Sequence, residues 1–166
     1  VPEIIRENGG EPVRTRVGHS FIKAKMAETN AVFGGEHSAH YYFRDFWRAD
    51  SGMLAAMHVL AALGQQDKPL SEMMAKYNRY AASGEINSRL DSAEAQADRT
   101  EAVVKAFADR AENVDRLDGV TVELKDGNWF NVRASNTEPL LRLNVEADTQ
   151  EAVDALVKEI LAIIRA

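Results

Sequence analysis

The dipeptide Asp126-Gly127 constrains the fold of this chain more than any other feature, because it lies between two segments in which apolar and polar residues alternate. Asp-Gly between such segments is the strongest short signal for a β-hairpin, since glycine tolerates the positive φ that tight turns require. The alternation occupies residues 120–125 before the turn and 129–133 after it, and a third alternating segment follows at 141–147. We therefore predict three antiparallel strands with one apolar and one polar face.

Helix signals flank these strands. Residues 92–112 are rich in Ala, Glu and Arg, which predicts an exposed helix, and residues 80–90 predict a strand before it. In the last helix Asp148 is the predicted N-cap, and apolar residues recur at helical spacing at Val153, Leu156, Val157, Ile160, Leu161 and Ile164. The predicted order for residues 78–166 is thus β-α-β-β-β-α, an α+β domain whose antiparallel sheet is covered by helices on one face.

The first part of the chain predicts a different architecture. Its helix candidates are Pro2 to Glu7, His19 to Glu28, residues 51–63 and Leu70 to Tyr77, and its strand candidates are Val13 to Arg16 and Ala31 to Phe33. Strands separated by helices are typical of a parallel α/β sheet. A sheet of two or three strands is short for a free-standing domain, so we expect residues 1–77 to be part of a larger α/β domain. We place the domain boundary between Tyr77 and Gly84, where the pattern changes.

Composition restricts the function. The 166 residues are 45% apolar and 28% charged, which supports a packed core, and the net charge of −6 argues against a nucleic-acid surface. There is no cysteine, which excludes disulfides, thiolate zinc sites and cysteine nucleophiles. No secretory signal is visible, and the longest apolar helix candidate, residues 53–63, is too short for a bilayer. We expect a cytoplasmic protein that binds neither membrane nor nucleic acid; the sequence indicates no oligomeric state.

Residues 34–40 (Gly-Gly-Glu-His-Ser-Ala-His) directly follow the strand candidate at 31–33. Ligands of α/β sheets lie beyond the carboxyl ends of the strands, and Glu, Ser and His side chains all bind hydroxyl groups. The segment therefore predicts a sugar-binding loop, while a polar turn without a ligand explains it equally well. A zinc site built from Glu36, His37, His40 and His19 is a further alternative, although His37 and His40 lack the i, i+4 spacing of the helical zinc motif.

A second polar segment, residues 133–139 (Arg-Ala-Ser-Asn-Thr-Glu-Pro), joins two of the predicted strands. Arg133 supplies a guanidinium, and hydroxyl and amide groups follow at Ser135, Asn136 and Thr137. Together with the backbone N–H groups of a turn, these side chains can form a phosphate-binding site. On the spacing alone, a polar turn whose side chains bond to their own backbone is the stronger interpretation.

Taken together, these segments resemble the α-D-phosphohexomutase family. Residues 34–40 resemble that family's sugar-binding Gly-Glu-x-Ser-Gly-His loop, and residues 133–147 look like its C-terminal phosphate-binding loop. Residues 18–23 (Gly-His-Ser-Phe-Ile-Lys) are similar to a third family segment. The resemblance covers essentially the whole chain. It implies most of domain 3 at residues 1–77, a partial α/β/α domain with a mixed sheet, and then domain 4 at residues 78–166, a TATA-box-binding-protein-like β-α-β-β-β-α domain.

The resemblance also implies roles for individual residues. Members of the family interconvert hexose 1-phosphate and hexose 6-phosphate through a phosphoserine and a bisphosphate intermediate. The implied substrate-binding residues of the first part are Glu36 and Ser38 for sugar hydroxyls, His40, which closes the same loop, and His19, which matches a cleft histidine. Those implied for the phosphate are Arg133, Ser135, Asn136 and Thr137. The glucose/mannose branch of the family is the better match, so mannose or glucose 1- and 6-phosphates are the implied substrates. The glucosamine-phosphate branch is the nearest alternative.

Two departures from the family pattern matter. Ala39 stands where the family usually has glycine, which strains the loop if the position requires positive φ. Neither a Ser-His-Asn-Pro-like serine loop nor an Asp-Gly-Asp-Gly-Asp metal loop occurs in the 166 residues. We therefore expect the catalytic serine and the Mg²⁺ site of a parent enzyme to lie outside this chain, and we expect no cofactor and no mutase activity in the chain itself. A non-catalytic phosphosugar-binding module is the alternative.

Overall fold

The computed structural model describes residues 1–135 and 138–166, which form two compact units, Val1–Tyr77 and Asn78–Ala166. In this described part of the chain, no helix is both long enough and apolar enough to cross a membrane. The cytoplasmic location stays a prediction.

The first unit combines helices with one small sheet. Its helices are α1 (Pro2–Glu7), α2 (His19–Thr29), α3 (Gly52–Gly64) and α4 (Leu70–Ala75), and its strands are β1 (Phe33–Gly35), β2 (Tyr41–Phe43) and β3 (Ala49–Asp50). The strands are antiparallel in the order β1-β2-β3, so that Tyr42 lies between Gly34 and Asp50. The core of this unit consists of Ile22, Met26 and Tyr42.

Two sequence predictions for the first unit are wrong. Residues 13–16 form no strand, and the strands that do form are antiparallel rather than parallel. A parallel pair needs a long crossover, but the connections observed here, residues 36–40 and 44–48, are short loops that return the chain directly beside the preceding strand. The mixed α and β composition expected for the unit is confirmed.

Helix α2 packs closely against the β1–β2 hairpin because Gly34 has no side chain. A Cβ atom at this position would lie 3.0 Å from both Ile22 Cγ2 and Met26 Sδ, and 3.5 Å from Tyr42 Cβ. On the other side of β2, Ser51 caps α3, since its Oγ accepts from the N–H of Leu54 at 3.2 Å. Glycine at position 34 thus lets α2 bury the ring of Tyr42.

The second unit is an antiparallel sheet with two helices. Its helices are α5 (Ala93–Phe107) and α6 (Gln150–Ile164), and its strands are β4 (Ala81–Ala82), β5 (Ile86–Arg89), β6 (Ala111–Asp115), β7 (Val120–Leu124), β8 (Trp129–Ala134) and β9 (Leu140–Ala147). The strand order is β4-β9-β8-β7-β6, and β5 also pairs with β9. Apolar side chains of β7, β8 and β9 form one buried core with those of α5 and α6.

The main predictions for this unit are confirmed. Strands β7 and β8 pair on either side of Asp126-Gly127. In β8 Phe130 and Val132 are buried, whereas Trp129, Asn131 and Arg133 are only half-buried, and β9 alternates in the same way. The apolar stripe of α6 packs into the core, with Val153, Leu156, Ile160 and Ile164 buried.

Three details of the second unit differ from the predictions. The helix predicted to reach residue 112 ends at Phe107, and residues 111–115 form the edge strand β6, because pairing with β7 outweighs the helix propensity of this segment. The strand predicted at residues 80–90 is divided into β4 and β5. Helix α6 is capped by Thr149, whose side chain accepts from the N–H of Ala152 at 3.2 Å, and not by Asp148.

Candidate functional site

The loop between β1 and β2 closes on its own backbone. The N–H of Glu36 donates to the carbonyl of His40 at 2.9 Å, and the N–H of Ala39 donates to the carbonyl of Glu36 at 3.1 Å. Ala39 has φ 63°, in the left-handed region that favours glycine. The sequence raised this position as a strain site if it required positive φ, and in the structure it does.

Glu36 is held by a tyrosine of the core. The hydroxyl of Tyr42 donates a hydrogen bond to Glu36 Oε1, and the Tyr42 side chain is fully buried. Burial raises the pKa of Tyr42 and the Glu36 carboxylate raises it further, so the hydroxyl stays protonated and continues to donate. No described residue donates to Oε2 of Glu36, which leaves that oxygen as the acceptor for a ligand hydroxyl.

His40 is held by an aspartate on the neighbouring strand. Its Nδ1 lies 2.7 Å from Asp50 Oδ2, while Asp50 Oδ1 accepts from the N–H of Tyr41 at 2.8 Å. The hydrogen bond with Asp50 raises the pKa of His40, and Coulomb attraction to Asp50 and Glu36 adds to it, against some desolvation. The same hydrogen bond lowers the pKa of Asp50. Asp50 therefore favours a cationic imidazole whose Nε2 is the nitrogen left for a ligand.

His19, the first residue of α2, completes this group. Its ring meets the ring of His40 edge-on at 4.8 Å between centroids, and the ring of Tyr42 at 5.4 Å. Of the four substrate-binding residues predicted in this unit, Glu36 and His19 contact Tyr42, and His40 contacts His19 and Asp50. The fourth, Ser38, is exposed in the turn. Within residues 1–135 and 138–166, no group of three His, Asp or Glu side chains is placed to hold a metal ion.

The second candidate site lies where β8 ends and β9 begins. Arg133 and Arg142 are directly opposite each other in the antiparallel pair, on its polar face. Ser135 follows, with its N–H donating to the carbonyl of Leu140 at 2.8 Å and its Oγ 3.5 Å from Nη2 of Arg142. The other two predicted phosphate ligands, Asn136 and Thr137, lie outside the described residues.

Both guanidinium groups have carboxylate partners, but at long separations. Arg133 lies 3.6 Å from Asp118, and Arg142 lies 3.6 Å from Glu85 and 3.8 Å from Glu138. Nε of Arg142 is buried and has no hydrogen-bond partner among the described residues. Separations above 3.5 Å are longer than charge-assisted hydrogen bonds, so both arginines retain donors for an anion.

The residue before β7 shapes the position of Arg133. Gly119 has φ 66°, and a Cβ atom there would lie 2.5 Å from the carbonyl oxygen of Val132 and 2.8 Å from Cβ of Arg133. The side-chain amide of Asn131 donates to the carbonyl of Asp118 at 3.0 Å. The Asp118-Gly119 turn therefore lies directly against the end of β8.

Sequence reasoning did not identify Tyr42, Asp50 or Arg142 as site residues. Arg142 was placed on the polar face of its strand, but its pairing with Arg133 depends on a register that the alternation does not specify. Asp50 immediately precedes the helix predicted at residues 51–63 and belongs to neither predicted binding loop. The hydroxyl of Tyr42 was a usable signal, because a buried tyrosine needs a hydrogen-bond partner nearby.

Family models match both parts of the chain. Residues 1–80 match the model described as phosphoglucomutase/phosphomannomutase, alpha/beta/alpha domain III, and residues 85–163 match the model of the C-terminal domain of the same proteins. The two candidate sites fall one in each match. The predicted fold classes of the two parts agree with these matches.

Individual relatives are named for the same family as the matching models. The chain is 42% identical to a phosphomannomutase of Methanocaldococcus jannaschii over 99% of its own length and 35% of that protein, and 40% identical to a phosphomannomutase of Escherichia coli over 98% of its own length and 35% of that protein. A crystal structure of a phosphoglucomutase/phosphomannomutase family protein from Burkholderia thailandensis superposes with a TM-score of 0.78 at 28% identity, over 99% of this chain and 35% of that one. The chain therefore spans about a third of the length of these relatives.

Proposed function

The chain belongs to the phosphoglucomutase/phosphomannomutase family, and from that premise we propose that it supplies the substrate-binding half of an enzyme that interconverts hexose 1-phosphate and hexose 6-phosphate. The loop at residues 133–139 would hold the phosphate that is not reacting. The loop at residues 34–40 would bind the sugar hydroxyls.

The pairing of Arg133 with Arg142 is the observation that carries this proposal. Two like charges directly opposite each other on a sheet destabilise it, unless carboxylates or a bound anion neutralise them. Their carboxylate partners lie at 3.6–3.8 Å, and Ser135 adds a hydroxyl at the same place. A phosphate here would accept from both planar guanidinium groups, for which the fork geometry of arginine is well suited.

The group around Tyr42 supports the sugar-binding role. Glu36 presents Oε2 as an acceptor, and a protonated His40 can donate from Nε2 to a hydroxyl or to a phosphoryl oxygen. His19 lies beside them at the start of a helix, where the backbone favours negative charge. In this proposal, these residues bind and orient the sugar.

The sequence contains neither a Ser-His-Asn-Pro-like serine loop nor an Asp-Gly-Asp-Gly-Asp metal loop. The family resemblance implies a phosphoserine donor and a Mg²⁺ ion that neutralises charge on the transferred group. The described residues do not fit such a metal site, since no three candidate ligands come together. We therefore propose that the serine and the Mg²⁺ site belong to a part of the parent enzyme outside this chain.

We propose mannose or glucose phosphates as substrates rather than glucosamine phosphate. The relatives named phosphomannomutase, at 40% and 42% identity, support this choice. Turnover of mannose 6-phosphate and of glucosamine 6-phosphate by the full-length parent enzyme decides between the branches. A parent protein that turns over neither sugar phosphate would favour a non-catalytic phosphosugar-binding module.

Titration of this chain with inorganic phosphate tests the phosphate site. We expect the backbone amides of Ser135 and Glu138 to shift in NMR spectra as phosphate is added. Arg133→Ala should weaken binding by about 10- to 100-fold, since a charge-assisted hydrogen bond contributes about 1.5–3 kcal/mol.

Arg110→Ala is the matched control for this titration. It removes the same guanidinium from the same unit, and its partner is the half-exposed Glu159 on α6 at 2.8 Å. Its phosphate affinity should equal that of the wild type. If the loop amides of the wild type do not respond, or respond equally in Arg133→Ala, residues 133–139 are only a turn and the proposed phosphate site is wrong.

A further inference from the structure

The hydroxyl of Tyr42 is a costly group for a core position. The side chain is 0% exposed and packs against Ile22 and Met26, where a phenylalanine would fill nearly the same space. A buried hydroxyl without a partner destabilises a fold, so a tyrosine here depends on its hydrogen bond. That bond goes to Glu36 Oε1, in the loop proposed to bind sugar.

We propose that Tyr42 is a positioning residue that sets sugar specificity by fixing the carboxylate of Glu36, so that only Oε2 is presented to the ligand. This inference rests on the function proposed above, which assigns Glu36 to the sugar. A carboxylate free to rotate can accept from neighbouring hydroxyls in more than one configuration. A fixed carboxylate offers one acceptor in one direction, and a sugar whose hydroxyl points elsewhere leaves that acceptor unpaired.

The surroundings of Tyr42 make it a rigid support. It lies in the middle strand of the sheet, with Gly34 paired on one side and Asp50 on the other. Helix α2 packs against Tyr42, and the ring of His19 makes a T-shaped contact with its ring. Glu36 is therefore held at two points, by the Tyr42 hydroxyl on its side chain and by the carbonyl of His40 on its backbone N–H.

The hydrogen bond from Tyr42 to Glu36 does not depend on pH, because the hydroxyl stays protonated. Burial raises the pKa of Tyr42, and the adjacent Glu36 carboxylate raises it further. Loss of the proton would place two negative groups together in a buried place, which is strongly unfavourable. The donor is thus present at every pH at which the sugar phosphates would be bound.

Tyr42→Phe and Tyr41→Phe form a matched pair for the test. Both remove one phenolic oxygen from neighbouring residues of β2, and among the described residues Tyr42, not Tyr41, donates its hydroxyl to Glu36. The ¹³Cδ NMR signal of Glu36 in this chain should shift in Tyr42→Phe and stay in place in Tyr41→Phe, while both variants keep the amide spectrum of a folded first unit. An unchanged Glu36 signal in Tyr42→Phe overturns the positioning role, whether or not the chain binds sugars.

Binding of hexose phosphates tests the specificity. The test compares the Kd of glucose 1-phosphate with the Kd values of its C2, C3 and C4 epimers, which are mannose, allose and galactose 1-phosphate. Tyr42→Phe should bind glucose 1-phosphate about five- to tenfold more weakly, the order of one lost hydrogen bond, and should discriminate less against at least one epimer. Its affinity for inorganic phosphate should not change. For each epimer, discrimination is the ratio of its Kd to the Kd of glucose 1-phosphate. If all three ratios are the same in Tyr42→Phe as in the wild type, the inference is overturned.

Failure of the proposed function gives a different result. If the wild-type chain binds glucose 1-phosphate no more tightly than inorganic phosphate, the sugar-binding role of residues 34–40 is wrong, and the specificity role of Tyr42 is overturned with it. The Glu36 signal then still decides whether Tyr42 positions the carboxylate.

Discussion

The left-handed backbone of Ala39 has a counterpart in the second unit, at Gly127. In the β1–β2 loop, the N–H of Glu36 donates to the carbonyl of His40, and the N–H of Ala39 donates back to Glu36. The β7–β8 loop has the same pattern, since the N–H of Leu124 donates to Asn128 and that of Gly127 donates back to Leu124. The equivalent residues have φ 63° and 88°. One loop therefore has a glycine at the left-handed position and the other has an alanine.

Ala39→Gly and Gly127→Ala, which exchange alanine and glycine at the equivalent positions of the two loops, should have opposite effects on stability. Left-handed backbone costs a non-glycine residue about 1–2 kcal/mol, part of which the freer unfolded chain of glycine offsets, so Ala39→Gly should stabilise the first unit by about 0.5–1 kcal/mol. Gly127→Ala should destabilise the second unit by a similar amount. Urea titrations followed by amide signals of each unit measure both changes.

Ala56→Gly is the control for Ala39→Gly. It makes the same change in the exposed interior of α3, where it should destabilise by about 1 kcal/mol. A destabilising Ala39→Gly would contradict the strain attributed to the loop.

Asp50→Asn should lower the pKa of His40 towards its ordinary value of 6.5, because the hydrogen bond to Asp50 is the largest cause of the upward shift. The His40 pKa is higher in the folded chain than in the unfolded chain. Its contribution to stability is therefore complete below the unfolded pKa and is lost as the pH rises through the folded pKa. The lowered pKa of Asp50 acts in the opposite sense, since that contribution is lost as the pH falls through it.

A ¹H–¹³C NMR titration of the His40 ring measures this shift. Asp45→Asn is the control, because it removes an exposed carboxylate of the same unit whose pKa is lowered by Arg44 and which does not contact His40. Equal His40 pKa values in the wild type and in Asp50→Asn would show that the 2.7 Å contact does not persist in solution.

At the scale of elements, the position of β7 against β8 depends on Gly119. Gly119→Ala should destabilise the second unit by about 2–4 kcal/mol, since it adds close contacts with the β8 backbone to the cost of positive φ. Gly127→Ala is the matched control, because it carries the cost of φ but has no atom within 4 Å of the added Cβ. Fluorescence of the half-buried Trp129 during denaturation reports on this unit. Equal losses in the two variants would contradict the close approach of Asp118-Gly119 to Arg133.

The sequence predicts elements well where local chemistry decides them. Asp126-Gly127 fixes the hairpin, the alternation of β8 and β9 fixes their buried faces, and Ser51 fixes the start of α3. The sequence fails where a partner decides the structure: Ala111 and Glu112, which are good helix formers, begin the edge strand β6 because β7 offers backbone pairing. The candidate site divides in the same way. Glu36 and Arg133 are recognisable from their motifs, whereas Asp50 and Arg142 join the site only through strand register.

At the scale of the whole molecule, this 166-residue chain should not interconvert mannose 1-phosphate and mannose 6-phosphate, with or without Mg²⁺ and a hexose bisphosphate. Its sequence contains neither the serine loop nor the acidic metal loop of the family, and phosphoryl transfer depends on positioning and charge neutralisation that these loops supply. A coupled assay of the rigorously purified chain measures this. Conversion that co-elutes with the chain and is lost in Arg133→Ala would contradict the assignment of the chemistry to another part of the enzyme.

The small core of the first unit has a consequence for its folding. Among the described residues of that unit, Ile22, Met26 and Tyr42 are the buried apolar side chains, and one of the three is bonded to the loop proposed to bind sugar. Ligand occupancy and local opening are then thermodynamically linked, and a ligand at a hundred times its Kd would stabilise the closed unit by about 2.7 kcal/mol. Amide hydrogen exchange in β2 should slow by about a hundredfold under those conditions. The bound substrate would then stabilise the folded state of this unit. Substitutions in its core would be restricted by substrate binding as well as by packing.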